Sequence, residues 1–288
     1  MKIIGLIPVR NEEWILPTCV TSLRKFCDDI IAFDDNSTDS SVEILKSLGV
    51  SVYHNKNLGM WGDVERSNRE NLLKLGRERG GTHFVCVDAD ECFTSNFEAN
   101  AKELISKLRP GQKLSLQWMA LWRDMRAFRN DSSIWSNNFK DFIVYDTGSL
   151  SYDDGFLCVG HTPGSNNSTW IKITREQGSV LHFQFSHWNR FQIKQAWYQC
   201  TERIKLKNVE DIRSKYCIVL DDDYKNTPLE SWEIENVLMP YRSDDIVDDW
   251  HLADIYNWFD QYGIEFFKPL NIWHIGELKR EYEKRMKL

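Results

Sequence analysis

The run Phe84-Val85-Cys86-Val87-Asp88-Ala89-Asp90-Glu91 constrains this chain more than any other. Its apolar half, rich in Val, reads as a buried strand, and the strand ends in carboxylates. A carboxylate is costly to bury. A strand that carries Asp88, Asp90 and Glu91 out of a core therefore delivers them to a site or to a turn. In an open α/β sheet, ligands bind outside the carboxyl ends of the strands. On an extended backbone Asp88 and Asp90, two apart, face the same way. That arrangement suits a hard divalent cation that bridges to phosphates. Turns also favour Asp, so the run alone leaves both readings open.

The residues before it supply a sheet. Apolar runs at 2–9, 30–33 and 50–53 read as strands, and helical periods at 12–26, about 40–48 and 63–79 separate them. Gly49 and Gly80-Gly81 close two of those helices. Strand–helix alternation predicts a mostly parallel α/β sheet flanked by helices. The acidic segments after Phe33 and after Val87 then share its carboxyl edge. Beyond Asp90 the pattern is mixed. A helix at 97–108 stops at Pro110-Gly111, strands are expected at 114–122, 139–145, 156–159 and 179–185, and a helix at 191–206 carries Lys194. After about residue 208 acidic pairs and helical stretches at 253–262 and 277–287 suggest a C-terminal helical appendage. The expected division is 1–207, in halves 1–95 and 96–207, followed by 208–288.

Net charge is −7, which disfavours a nucleic-acid partner. An acidic protein that binds a polyanion needs a cation between the two. Seven cysteines, an odd number with no CxxC pair, give neither a disulfide framework nor a zinc pattern and suit a reducing compartment. No apolar run reaches the ~20 residues of a transmembrane helix. The chain is read as starting at Met1, without a leader, and as cytoplasmic.

Three strand ends now stand in order: Ile7-Pro8-Val9-Arg10-Asn11-Glu12, Asp34-Asp35-Asn36-Ser37-Thr38-Asp39 and Asp88-Ala89-Asp90-Glu91. The ordered set resembles the nucleotide-sugar glycosyltransferases of family 2, closely over residues 2–95 and loosely over 114–205. The resemblance implies a GT-A-like (Rossmann-like) fold, with 1–95 as the nucleotide-binding half and 96–207 as the acceptor half. It also implies transfer of a hexosyl or pentosyl group from a nucleotide-diphosphate sugar, UDP-linked, to a hydroxyl on a glycan, lipid-linked or protein-linked acceptor, with inversion. By position, Pro8, Arg10 and Glu12 would cup the base and ribose, and Asp35 would bond the base. Asp88 and Asp90 would take the ribose and a Mn2+ or Mg2+ ion. His182 is the best match for a third metal ligand, and Arg66 for a basic residue at the nucleotide. Lys194 is placed at the diphosphate. An acceptor hydroxyl must lose its proton as it attacks. The candidates for that base are Asp154, Asp141 and His161, although the Glu-Asp pair usual in the family is not visible.

Two other readings stand beside this one. Val85-Cys86-Val87-Asp88-Ala89-Asp90 also resembles the nucleophile strand of haloacid-dehalogenase-type phosphatases, with the run Asp221-Asp222-Asp223 imitating that family's distal metal pair. A GT-A-like domain can also serve as a non-catalytic sugar- or nucleotide-binding module, since fold does not fix function.

Overall fold

Strand β1 (Ile3–Val9) is buried along almost its whole length and lies between β2 and β4 in the main sheet. The computed structural model describes residues 1–55, 61–152, 160–164, 169–240 and 249–287. After β1 come α1 (Leu16–Arg24), β2 (Asp29–Asp34), α2 (Ser41–Ser47), β3 (Ser51–His54), α3 (Trp61–Glu78) and β4 (His83–Cys86). β1 pairs in parallel with both β2 and β4, and β2 pairs in parallel with β3. The winding thus reverses at β1, with β2 and β3 on one side and β4 on the other. Such a reversal opens a crevice at the carboxyl ends of the two diverging strands. Pro8 widens it. The β1–β4 ladder closes with Val87 N donating to Leu6 O at 3.3 Å, while the β1–β2 ladder runs on to Val9. Pro8, next in line toward β4, has no N–H to contribute.

The chain continues through β5 (Glu91–Phe93), α4 (Ser95–Ser106), β6 (Lys113–Ala120), β7 (Ala127–Arg129), β8 (Phe139–Tyr145), β9 (Trp170–Lys172) and β10 (Ser179–His182). β8 lies antiparallel between β4 and β6, so β6 points the same way as β4, and β10 pairs in parallel with β6. The sheet order is β3-β2-β1-β4-β8-β6-β10-β5, with β9 on β6. The fold is the α/β, mostly parallel sheet with flanking helices that the sequence implies. One edge collects the carboxyl ends of β1, β2, β4, β6 and β10.

Helix α3 packs Leu72 and Leu73 on one face of the sheet against Ile4, Leu6, Ile31, Phe33 and Phe84. The Phe84 ring fits because Gly76 and Gly81 lie over it. A Cβ on either glycine would come within 2.5 Å of the ring.

The remaining elements are α5 (Trp188–Ile204), α6 (Val209–Lys215), β11 (Asn226–Pro228), α7 (Ser231–Ile234), α8 (Asp249–Tyr262) and α9 (Gly276–Arg285). The chain as a whole divides into two compact units: Met1–Phe183 with Asn226–Arg242, and Gln184–Lys225 with Ser243–Leu288. The compact units therefore part after Phe183, not at 207/208, and 226–242 returns to the first unit. There β11 pairs antiparallel with β7, and Arg175 grips buried Glu233 through two bonds of 2.8 and 2.6 Å. The second unit is helical. In it Trp197 of α5 donates to Asp254 of α8 at 2.9 Å and packs on Trp250, His251 and Trp258. Among the described residues, no helix is long and apolar enough to cross a membrane.

Candidate active site

The strand expected to run to Val87 stops at Cys86, and a turn over Ala89 and Asp90 follows. Glu91 N donates to Asp88 O at 3.1 Å. The backbone from Asp88 to Asp90 is therefore not extended, and the two side chains do not share partners as the period-two argument expects. Glu91 does not end a loop either. It opens β5, whose register sets Glu91 opposite His182. Antiparallel pairing with β10 captures the segment and carries Glu91 into the interior, 1% exposed.

A buried charge cluster surrounds Asp88. Arg69 on α3 donates to Asp88 Oδ1 at 2.7 Å and to Glu65 Oε1 at 3.2 Å. His161 Nε2 lies 3.5 Å from Asp88 Oδ2 and 3.1 Å from Glu91 Oε1. Glu91 also accepts from Trp118 Nε1 at 2.6 Å and from Asp88 N at 2.7 Å. Burial opposes the ionised Asp88, but Arg69 and then His161 outweigh it and hold the carboxyl well below the usual carboxylate range. Burial likewise opposes a charged His161, yet Glu91 and Asp88 push it up to about 9. Glu65 is raised, chiefly by burial. Asp88, Glu91 and His161 present ligand atoms all within 4.8 Å of one another. In the state seen here they are joined as an ion-pair network.

Asp90 belongs to a second grouping. Its Oδ1 lies 3.4 Å from His182 Nε2. Asp90 O accepts from Phe183 N at 2.9 Å and His182 O from Leu121 N at 3.1 Å, which fixes both backbones. Trp118 stacks on the His182 ring with centroids 4.2 Å apart, and Lys140 Nζ lies 3.6 Å above Trp118. Asp90 and His182 thus set a carboxylate oxygen 3.4 Å from an imidazole nitrogen, two ligand types that suit Mn2+. The residues present fit such an ion.

Asp35 sits further along the edge, 4% exposed. Its Oδ1 accepts from Asn55 Nδ2 at 2.7 Å, and its Oδ2 lies 3.6 Å from Arg10 Nη1. Glu12 is buried. Its Oε2 accepts from Trp14 Nε1 at 2.7 Å, while its carbonyl accepts from Ile15 N and Leu16 N. Pro8 is half-buried in β1.

Arg66 is exposed on α3, and Arg69, one helical turn on, is the residue that reaches Asp88. The signal was present in the sequence. Glu65 and Arg69 are four apart, and with Val64, Leu72 and Leu73 they form one buried stripe. Ionic residues inside such a stripe need one another. Asp141 lies near the start of β8, with Lys113 Nζ 3.9 Å from its Oδ2. Lys194 is half-buried on α5 of the second unit. Asp154 and the strand expected at 156–159 lie outside the described residues.

Residues 6–109 match the family model described as Glycosyl transferase family 2. That span runs from within β1 to just beyond α4 and includes Asp35, Asp88 and Asp90. A curated relative, an uncharacterized glycosyltransferase of Rickettsia bellii (strain RML369-C), is 23% identical over 175 residues, covering 61% of this chain and 54% of the relative. The match thus spans about half the length of that protein. Among solved structures, S. aureus TarS aligns at 14% identity over 68% of this chain and 40% of its own, with a TM-score of 0.38. Glucosyl-3-phosphoglycerate synthase from Mycobacterium tuberculosis, in complex with Mn2+, uridine-diphosphate and glucosyl-3-phosphoglycerate, aligns at 16% identity over 41% of this chain and 44% of its own, with a TM-score of 0.30.

Proposed function

We propose that this chain, which resembles the family 2 glycosyltransferases over residues 6–109, moves a sugar from a nucleotide-diphosphate donor, UDP-linked, onto an acceptor hydroxyl. The acceptor oxygen bonds to the anomeric carbon. The bond from that carbon to the diphosphate oxygen breaks, and the nucleoside diphosphate leaves with the electron pair. The observation that carries the reading is the Asp90–His182 pair on the same sheet edge as Asp35 and the ionised Asp88.

Pro8, Arg10, Glu12 and Asp35 receive the base and ribose, and Asp88 the ribose. Asp90 and His182, with Asp88 beside them, would hold Mn2+ or Mg2+. That ion, when bound, stabilises the charge that builds on the leaving diphosphate. Arg69 and His161 keep Asp88 ionised and fixed in orientation before the donor arrives, and preorganised charge of this kind is what lowers the barrier. His161 is set aside as the base. Held protonated at neutral pH by Glu91 and Asp88, it has no lone pair with which to accept a proton. The proton passes instead to a carboxylate of the acceptor half, Asp141 or Asp154, and the anomeric carbon inverts. The transferred group is a hexosyl or pentosyl unit, and the acceptor hydroxyl belongs to a glycan or to a lipid-linked or protein-linked chain. The cysteine usage supports cytoplasmic work. The phosphatase alternative is not favoured, because the family match covers its nucleophile strand.

Calorimetry with UDP tests the proposal. Binding is expected with Mn2+ present, to be lost without metal and in Asp90→Ala. Equal affinity with and without metal would count against it.

A further inference from the structure

Asn11 follows β1 and is 7% exposed, with φ at 53°. Few residues adopt this left-handed conformation without strain, and Asn is one of them. Its side chain reaches across to the loop that follows β2. Oδ1 accepts from Thr38 N at 2.6 Å and Asp39 N at 3.3 Å, and lies 3.4 Å from Thr38 Oγ1. Asn11 N donates to Ser37 Oγ at 2.9 Å, and Glu12 N donates to Ser41 Oγ at 2.9 Å. The loop so held begins with Asp35, whose own N donates to Val9 O at 2.8 Å. Between these anchors stands Asn36, also left-handed at φ 59°. Asp35 thus has the β1 ladder on one side and a pivot on the other, and the Asn11 side chain closes the far end of the loop.

We propose that Asn11 is a positioning residue for the nucleoside end of the donor: it clamps the loop after β2 so that the Asp35 carboxylate is held ready to accept from the base. The inference rests on the transferase reading above, in which Asp35 meets the base. The chemistry is local. One amide oxygen satisfies successive backbone N–H groups that the turn leaves without ladder partners. The diphosphate end, built on Asp88, Asp90 and His182, does not depend on this clamp.

Two substitutions separate the side chain from the backbone. Asn11→Gly keeps the left-handed conformation and removes the acceptor. Asn11→Asp keeps both. With Mn2+ present, calorimetry on the full chain compares UDP with inorganic pyrophosphate. Asn11→Gly is expected to weaken UDP by about tenfold, the scale of one or two lost hydrogen bonds, and to leave pyrophosphate unchanged. Asn11→Asp is expected to restore UDP affinity. Wild-type affinity for UDP in Asn11→Gly would overturn the inference, as would an equal loss for pyrophosphate, which would mark general damage. If the wild type itself takes no UDP, the transferase reading fails first, and the inference falls with it.

Discussion

Arg69 is the residue whose removal most severely tests the electrostatics of the Asp88 cluster. Its side chain is 5% exposed and serves Glu65, 7% exposed, and Asp88, 39% exposed. Replacing it by Met keeps most of the volume and removes the charge. Breaking a buried pair by deleting one partner costs about 3–5 kcal/mol, because the other charge is left uncompensated. Two features place this case at the low end. Asp88 keeps some solvent and keeps His161 at 3.5 Å, and Glu65, already raised by burial, escapes by taking up a proton. Arg69→Met should therefore cost roughly 3 kcal/mol at pH 7. The pH dependence follows in sign. Without Arg69, Glu65 binds its proton at a higher pH in the folded state, so the deficit shrinks as pH falls from neutrality. The Asp88 contribution does not change in this window, because a depressed carboxyl loses its stabilisation only below the ordinary carboxylate range. Urea denaturation of both proteins from pH 7 down to pH 5 measures the gap, and Glu65→Gln in the Arg69→Met background should recover part of it. A cost under about 1 kcal/mol, or one that does not change with pH, would refute the reasoning.

Further tests are independent of one another. His161 is held up to about 9 in the fold against an ordinary value near 6.5, so its contribution is complete below about pH 6.5 and is lost as pH rises through about 9, for roughly 3 kcal/mol in all. His161→Gln should flatten the stability profile of the metal-free protein across that window. Gly76→Ala gains about 1 kcal/mol of helix propensity but drives a methyl to within 2.5 Å of the Phe84 ring. Overpacking of this kind costs about 1–3 kcal/mol, so denaturation should show no stabilisation and a net loss. Asn208 caps α6 by accepting from Glu210 N and Asp211 N at 2.8 and 3.3 Å, and Asn208→Ala should cost about 1 kcal/mol. Asp90→Ala should lower the rate of donor turnover by at least about a hundredfold while the circular dichroism spectrum stays native.

The first half of the sheet was readable because its strands are continuous apolar runs and its helices keep a 3.6-residue period. Phe139–Tyr145 was readable for the same reason. β5, β7, β9 and β11 were not, since a strand of three residues has no period to detect and forms only because a partner strand captures it. That limit reached the site. The rule that carboxylates avoid burial placed Glu91 with Asp88 and Asp90 at an exposed strand end. Pairing with β10 instead buries it, and Trp118, His161 and the Asp88 amide satisfy it. The side-chain directions of Asp88 and Asp90 depend on a turn that sequence spacing could not foresee. Motif position points to Arg66, whereas helical phase with Val64, Leu72 and Leu73 points to Arg69. The part played by Asn11 leaves no periodic signal in the sequence, because its side chain works across the gap between two loops.

On the proposal made here, Asp90 and His182 hold a divalent ion against the diphosphate of a nucleotide. Pulsed electron paramagnetic resonance of Mn2+ bound in the presence of UDP tests it most directly. A single bound Mn2+ is expected to couple both to 31P of the diphosphate and to 14N of an imidazole, with the nitrogen coupling gone in His182→Phe. A Mn2+ signal with phosphorus coupling alone, or a nitrogen coupling that survives His182→Phe, would contradict it.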